Sequence, residues 1–132
     1  MCEANKTLVR EAYAAIGRGD LKGFLARLAD DVTWTFIGTH RFGRTFRGKD
    51  DIVDNLCRVL GAHLDGVIAL EIVNLVAEGN LVVDEMQGRA ATPAGKRYDN
   101  RYCVVLTVRE GLIRDLREYL DTELVTAVFG RG

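Results

Sequence analysis

The second half of the chain carries four consecutive runs of strand-forming residues, and this pattern constrains the fold more than any other feature. β-branched, aliphatic and aromatic residues dominate each run, and a short turn containing glycine separates it from the next. The runs are Val67–Ala77, Leu81–Ala91, Arg97–Val108 and Leu112–Leu120. Turns as short as Glu110-Gly111 favour hairpins, in which neighbouring strands are antiparallel. The sequence therefore predicts an antiparallel meander.

The first half of the chain predicts three helices and one further strand. Apolar residues recur at helical spacing from about Asn5 to Arg18, and Asp20 is placed to cap a second helix. Residues 32–37 alternate β-branched and aromatic side chains and predict a strand, while a third helix begins at Lys49. Helices that precede an antiparallel sheet indicate an α+β fold.

Helices that cover one face of a long antiparallel sheet leave a cavity. Such a sheet twists and curves, so its concave side meets the helices around a conical space. We therefore expect one domain over residues 1–132, built as a cone-shaped curved antiparallel sheet packed by three N-terminal helices. The cavity is where a function is expected.

Glu118 is the strongest chemical feature of the sequence. Side chains alternate along a strand, so Glu118 shares one face with Leu116 and Leu120. A carboxylate on an apolar face either costs several kcal/mol to desolvate or has a function. The structural alternative is a buried ion pair with Arg89 or Arg101.

The same alternation predicts the rest of the cavity wall. The expected lining residues are Trp34, Phe36, Glu85, Gln87, Asn100, Tyr102, Leu116 and Leu120. A one-residue slip of the middle strand would bring Val82 and Asp84 inward instead of Glu85 and Gln87. An apolar wall with a few polar groups suits a small hydrophobic molecule that contains a ring.

Charge and composition exclude several other classes of function. The 18 basic and 19 acidic residues nearly balance, which argues against a nucleic-acid partner or a charged membrane surface. No apolar run is long enough to span a membrane, and the amino-terminal residues lack the pattern of a signal peptide, so we expect a cytoplasmic protein. The widely spaced Cys2, Cys57 and Cys103 are expected to be reduced thiols. No metal or cofactor motif appears, so we expect neither.

Three further regions carry expectations of their own. The loop from Gly38 to Gly48 is either a solvated loop anchored by its two phenylalanines or a lid that offers an arginine to an anionic group. The tail, residues 121–129, either extends the last strand or forms a short helix. Val83, Val105 and Tyr119 point away from the cavity, so we expect a homodimer that covers this outer face of the sheet.

Several motifs also stand in an order that resembles a known group of proteins. They are GDLKGFLARLADDVTW early in the chain, FRGKDDI before the third helix, and GLIRDLREYLDTELV near the end. This order is similar to the SnoaL-like branch of the nuclear transport factor two-like superfamily, which includes ketosteroid isomerases, polyketide cyclases and limonene epoxide hydrolases. The resemblance implies a cystatin-like α+β roll.

The resemblance also bears on individual residues. It implies that Glu118 matches the catalytic aspartate of limonene epoxide hydrolases, while Trp34 and Phe36 replace the residues that hold water in those enzymes. Glu85 and Gln87 likewise stand where those enzymes have an arginine and a second aspartate, so epoxide hydrolysis is not expected. Phe36 also stands at or next to the base aspartate of ketosteroid isomerases.

Two functions of different classes follow. The first is a cofactor-independent isomerase, cyclase or dehydratase that acts on a small hydrophobic carbonyl compound. Glu118 would be its acid/base group, and Tyr102 or Asn100 would polarise the carbonyl oxygen. The second is a non-catalytic module of the same fold that binds a ligand or another protein.

Overall fold

The structure, a computed structural model, describes residues 2–132 as five α-helices and six strands. The helices are α1 (Cys2–Gly17), α2 (Leu21–Ala26), α3 (Gly48–Ile52), α4 (Arg58–His63) and α5 (Thr122–Phe129), and a π-helical segment, Val53–Cys57, joins α3 to α4. The strands are β1 (Leu28–Phe36), β2 (Thr45–Arg47), β3 (Ala69–Glu78), β4 (Leu81–Arg89), β5 (Arg101–Arg109) and β6 (Leu112–Leu120). The assignment of residues 1–132 to one domain stays a prediction, and Met1 lies outside the described residues.

The strands form one six-stranded sheet in the order β2-β1-β6-β5-β4-β3. The predicted meander is present, because β3 to β6 pair successively as antiparallel neighbours. β1 lies beside β6 and runs parallel to it, with Trp34 opposite Leu116 and Phe36 opposite Glu118. The predicted α+β class with a curved sheet is confirmed, and this parallel pair is its one departure from an antiparallel sheet.

A tight turn and a register shift together set the pairing of the β5–β6 hairpin. Glu110 and Gly111 in the turn both have positive φ angles, 56° and 75°, which give the backbone twist that matches paired strands. The pairing then shifts by one residue between Thr107 and Val108. After this shift Val104 lies opposite Glu118 and Tyr102 opposite Leu120, so these side chains reach the same face of the sheet in adjacent rows.

The core lies between the inward face of this sheet and the helices. Burial alternates along β4 and β5, as expected for strands with one covered face. From the helices, α1 contributes Val9 and Ala12 and α2 contributes Phe24, all of them almost fully buried. The Asp20 side chain accepts a hydrogen bond from the Gly23 amide at 2.9 Å, so the predicted cap of α2 is present.

The loop from Gly38 to Gly48 is held by internal contacts. Nδ1 of His40 accepts a hydrogen bond from the Phe42 amide at 3.2 Å, and its Nε2 lies 3.1 Å from the Ile37 carbonyl oxygen. The lid alternative could use Arg41, Arg44 or Arg47, and it stays a prediction for Arg47, whose side chain is exposed. Arg41 donates to the carbonyl of Phe129 and Arg44 to Asp51, so both guanidinium groups are already bound. Part of this loop forms β2, which the sequence pattern did not predict.

The tail is a helix, because Asp121 caps it. The Asp121 carboxylate accepts hydrogen bonds from the amides of Glu123 and Leu124 at 3.1 and 3.3 Å. At the other end of α5, the Phe129 ring packs against Tyr98 and Phe42, with ring centroids 4.9 and 5.3 Å apart. The last helix therefore closes one side of the core.

We expect Asp121→Ala to lower the free energy of unfolding by about 1 kcal/mol, because alanine leaves the first amides of α5 without an acceptor. Urea unfolding followed by circular dichroism measures this loss. Asp121→Ser, which keeps a capping oxygen, is the matched control and should recover most of it. Equal stability of the alanine variant and the parent protein would contradict the role of this cap.

Candidate functional site

Glu118 lies on the inward face of β6 and is 5% exposed. Its neighbours in the sheet are Phe36 on β1 and Val104 on β5, both apolar and buried. The period of two along β6 turns Arg117 and Tyr119 to the opposite face. The strand therefore delivers one carboxyl group to an apolar interior.

A single hydrogen bond reaches this carboxyl group among the described residues. Nε1 of Trp34 donates to Oε1 of Glu118 at 3.3 Å. The alternative ion pair is not present, because Arg89 pairs with Glu71 and Arg101 donates to Gln87. Burial raises the pKa of Glu118 to about 8, although the Trp34 hydrogen bond acts in the opposite direction. The group is therefore mostly protonated at neutral pH.

The carboxyl group opens into a cavity of about 260 Å³ between the sheet and the helices. Trp34 and Phe36 form part of its wall, stacked with centroids 5.4 Å apart and an angle of 18° between their planes. Leu21 and Val67, which are 38% and 49% exposed, also line the cavity and place its mouth near the end of α1. Among the described residues, no lysine, arginine or histidine lines it.

Two tyrosine hydroxyl groups in this interior have no partner at hydrogen-bond distance among the described residues, although the Tyr98 hydroxyl lies near enough to affect one of them, Tyr102. They belong to Tyr102 on β5 and Tyr13 on α1, and both side chains line the cavity. Burial raises the pKa of each phenol well above its ordinary value, with a further contribution from the negative charge of Glu118. Both groups are therefore neutral donors at any physiological pH.

Asn100 has a structural role that the sequence did not predict. Its Nδ2 donates to the Tyr98 hydroxyl and to the Asp121 carbonyl, and its Oδ1 accepts from the amides of Arg101 and Asp121. Because both ends of the amide are occupied, Asn100 has nothing left to offer a carbonyl ligand. It is buried and does not line the cavity.

The predicted inward placement of Glu85 and Gln87 is wrong. Glu85 is exposed and binds Asn74, and Gln87 bonds with Arg101 on the outer face. The one-residue slip that the sequence left open is the arrangement found, so Asp84 and Met86 point inward. Both faces of β4 carry apolar and acidic residues, so alternation alone did not decide between them.

Most of the other predicted wall residues reach the cavity, and one does not. Trp34, Phe36, Tyr102 and Leu120 line the cavity together with Glu118. Leu116 shares their face of the sheet but is fully buried in the core and does not reach the cavity. Whether any of these side chains binds a ligand stays a prediction.

The sequence did not indicate the residues that the helices and connecting segments contribute. Tyr13, Phe24, Cys57 and Tyr98 all line the cavity. The helical spacing of Tyr13 after Val9 and Ala12 could have placed its ring inward. Cys57 ends the π-helical segment, and burial raises the pKa of its thiol to about 11.

Residues 2–132 lack the features of two other kinds of site. No group of three or more His, Cys, Asp or Glu side chains in this range could hold a metal ion. No helix in the same range has the length and apolar character needed to cross a membrane.

Comparison with known proteins identifies the family. A family model described as a SnoaL-like domain matches residues 9–116. The chain belongs to the SnoaL-like family. The resemblance noted in its sequence motifs is thereby confirmed.

Relatives of this SnoaL-like chain share its fold over nearly their whole length. An uncharacterised protein of Mycobacterium tuberculosis is 31% identical over 127 residues, which cover 96% of each chain. An NTF2-like protein of unknown function from Burkholderia pseudomallei superposes with a TM-score of 0.85 at 26% identity, covering 96% of this chain and 97% of that one. The structure of TerC, co-crystallised with polyporic acid, gives a TM-score of 0.83 at 21% identity, covering 96% and 98%.

Buried acids should make the stability of this SnoaL-like domain depend on pH. Burial raises the pKa of Glu118 from 4.5 to about 8 and that of Asp84 from 3.8 to about 7. The folded protein thus keeps protons that the unfolded chain loses as the pH rises above about 4. We expect this stabilisation to be complete below that pH and to disappear by about pH 8. A tenfold difference in proton affinity between the folded and unfolded states corresponds to about 1.4 kcal/mol.

Urea unfolding at several pH values between pH 5 and pH 9 measures how the free energy of unfolding changes with pH. Glu118→Gln cannot ionise, so it should make the free energy of unfolding less dependent on pH and leave only the part due to Asp84. Glu85→Gln removes an exposed carboxylate and should leave the dependence unchanged. Parallel profiles for all three proteins would show that Glu118 has an ordinary pKa.

Proposed function

We propose that the protein binds a small, uncharged ring compound with a carbonyl group and transfers a proton on it without a cofactor. The reaction would be an isomerisation, cyclisation or dehydration. The observation that carries this proposal is Glu118, a buried carboxyl group that faces an apolar cavity, is not paired with a cation, and has a pKa of about 8. A group of this pKa can both take and return a proton near neutral pH.

The size and lining of the cavity support the class of ligand. A dry cavity of about 150 Å³ holds a benzene molecule, so about 260 Å³ accommodates one substituted ring or two fused rings. The stacked Trp34 and Phe36 offer flat apolar area to such rings. An anionic ligand would find no cationic side chain among the described lining residues. The complex of TerC with polyporic acid supports a small organic ligand for this fold.

Glu118 would transfer the proton, and Tyr102 would stabilise the negative charge that develops on the carbonyl oxygen. The ionised Glu118 removes a proton from the carbon beside the carbonyl, and the electron pair of that C–H bond moves toward the oxygen. The hydroxyl of Tyr102 would donate a hydrogen bond to this oxygen as its negative charge develops. In a ligand with a C=C bond next to the deprotonated carbon, the electron pair returns from the oxygen through the conjugated system. The far carbon of that C=C bond then takes the proton from Glu118, so the double bond moves beside the carbonyl and the isomerisation is complete.

The hydrogen bond from Trp34 assists this role. It occupies Oε1 of Glu118 and so leaves Oε2 for the ligand. It also stabilises the ionised form, because an N–H donor favours the charged carboxylate. Since Glu118 acts in its ionised form, turnover should rise with pH and reach half its maximum near pH 8.

We expect Glu118→Gln to reduce turnover by roughly 10²- to 10⁴-fold while ligand affinity changes only a few-fold, because the amide keeps the shape but cannot accept the proton. Thermal-shift screening of cyclic ketones and enones identifies a ligand, and nuclear magnetic resonance detects proton exchange or isomerisation. Glu78→Gln, at the exposed end of β3, is the control and should behave as the parent protein. Undiminished turnover in Glu118→Gln would overturn the catalytic proposal.

The second candidate is a binding module without catalysis. It is favoured by the finding that the Asn100 amide is fully occupied, which removes one of the two predicted electrophiles. A ligand that binds with micromolar affinity but shows no proton exchange at any pH between 6 and 9 would support the module. In that case the Glu118→Gln variant would change affinity alone.

We also propose that the outer face of the sheet forms a homodimer. Val83, Val105 and Tyr119 lie on this face as expected, and Val73 and Val76 beside them are 55% and 59% exposed. Val76, Val83 and Val105 form one apolar row that ends at Arg117, and the next row contains Glu85 and Tyr119. An exposed apolar row is unfavourable in water, and a second copy of the chain would cover it symmetrically.

Val105→Lys should convert the dimer to a monomer, because it places a charge at the centre of this face. Sedimentation velocity at several protein concentrations measures the change. Val67→Lys introduces the same charge at an exposed apolar position near the cavity mouth and should leave the dimer intact. A parent protein that sediments as a monomer at all concentrations would contradict the proposal.

A further inference from the structure

Asp84 is a second buried acid that the proposed reaction does not use. It is 0% exposed, and neither of its carboxyl oxygens has a hydrogen-bond partner among the described residues. Burying an unpaired carboxyl group costs several kcal/mol, and an apolar residue at this position would avoid that cost. Asp84 therefore lowers the stability of the fold, and a functional role would explain its presence.

The register of the sheet places Asp84 in the same row as Glu118. Asp84 on β4 lies opposite Val104 on β5, and Val104 lies opposite Glu118 on β6. Two strand spacings separate their Cα atoms by about 10 Å, and both side chains leave the inward face. In an apolar interior, two like charges at this range influence each other far more than they do in water.

Tyr13 lies near both acids. Its ring projects from α1 onto this part of the sheet, its hydroxyl has no partner, and the charges of both Glu118 and Asp84 raise its pKa. A neutral hydroxyl cannot balance a second negative charge. The apolar chamber is here the cavity together with the buried residues behind its wall. Glu118 lines the cavity, Asp84 is fully buried behind the wall, and no cation stands among the described lining residues.

We propose that Asp84 is a positioning residue that determines the protonation state in which Glu118 meets the ligand. This inference rests on the proposed function, because it concerns the group to which proton transfer is assigned. When Asp84 is ionised, its charge makes ionisation of Glu118 less favourable, so the chamber holds at least one proton over most of the neutral range.

The other titratable groups around Glu118 cannot produce this effect in the neutral range. From α1, β5 and the segment before β5, they are the phenols of Tyr13, Tyr102 and Tyr98, and from the π-helical segment the thiol of Cys57. Burial raises the pKa of Tyr98 to about 12 and that of Cys57 to about 11, and it raises the pKa of the other two phenols well above their ordinary value. Of these neighbours, Asp84 is the one whose pKa, about 7, lies between pH 5 and pH 9. The ring of His40 packs against the far side of the wall residue Phe36 and does not line the cavity.

The test is a carboxyl titration of the free protein labelled with ¹³C at the glutamate side chains. In the parent protein, the Glu118 resonance should shift in two overlapping steps, because it responds to Asp84 as well as to its own ionisation. In Asp84→Asn the curve should become a single step, with its midpoint lowered by about half a pH unit or more. A single-step curve in the parent, or an unchanged midpoint in the variant, would overturn the proposal.

Two further variants keep the test decisive. Asp84→Leu removes the charge without leaving a buried amide, so it serves if the asparagine variant does not fold, and it should lower the Glu118 midpoint similarly. Asp31→Asn removes an exposed aspartate of β1 and should leave the titration unchanged. A merely structural role for Asp84 would alter stability without moving the midpoint of Glu118.

Turnover separates this inference from the proposed function. If both hold, the pH profile of kcat/KM in Asp84→Asn moves to lower pH by the same amount as the Glu118 midpoint of the free protein. If the midpoint moves but Glu118→Gln retains full turnover, the result supports the coupling of the two acids and contradicts the catalytic role of Glu118. If the midpoint does not move, the role of Asp84 falls whatever the turnover shows.

Discussion

The pairing of β1 with β6 is the constraint on which the candidate site depends. These strands are separated by three helical segments and four other strands along the chain, yet they lie side by side and run in parallel. Their register sets Phe36 beside Glu118 and brings the indole of Trp34 within hydrogen-bonding distance of its carboxyl group. A shift of one residue would turn both aromatic rings outward and leave the acid without its donor. The chemistry of the cavity is thus inseparable from long-range strand pairing.

How far the sequence predicts this molecule depends on whether a feature is encoded locally. The hairpin at Glu110-Gly111 and the cap at Asp20 were predictable, because each depends on a few neighbouring residues. Glu118 was predictable as an inward acid because leucines flank it on its own face. The inward face of β4 was not, since Val82 and Val83 are equally apolar and Asp84 and Glu85 equally acidic. Their placement is decided by the pairing of β4 with β5, which is a property of the whole sheet.

The interior combines a large apolar core with polar groups that oppose it. Trp34, Phe24 and Tyr13 form a chain of aromatic contacts with centroid distances of 5.7 and 6.2 Å. The same interior contains two acids and two phenols whose hydrogen-bonding capacity is not fully used among the described residues. A fold selected for stability alone would replace them with aliphatic side chains. Their presence in one chamber is typical of functional sites, where local stability is exchanged for reactivity.

The position of Phe129 has a consequence for how the protein is made on the ribosome. Its ring seals the cavity wall at Phe42 and Tyr98, and Arg41 holds the end of its helix. The amino-terminal helices and β1 leave the ribosome long before this segment, so their aromatic side chains stay exposed to solvent until it is synthesised. The chamber cannot close until translation has passed Phe129. During synthesis the nascent chain therefore exposes Trp34 and Phe36, which line the cavity of the finished domain.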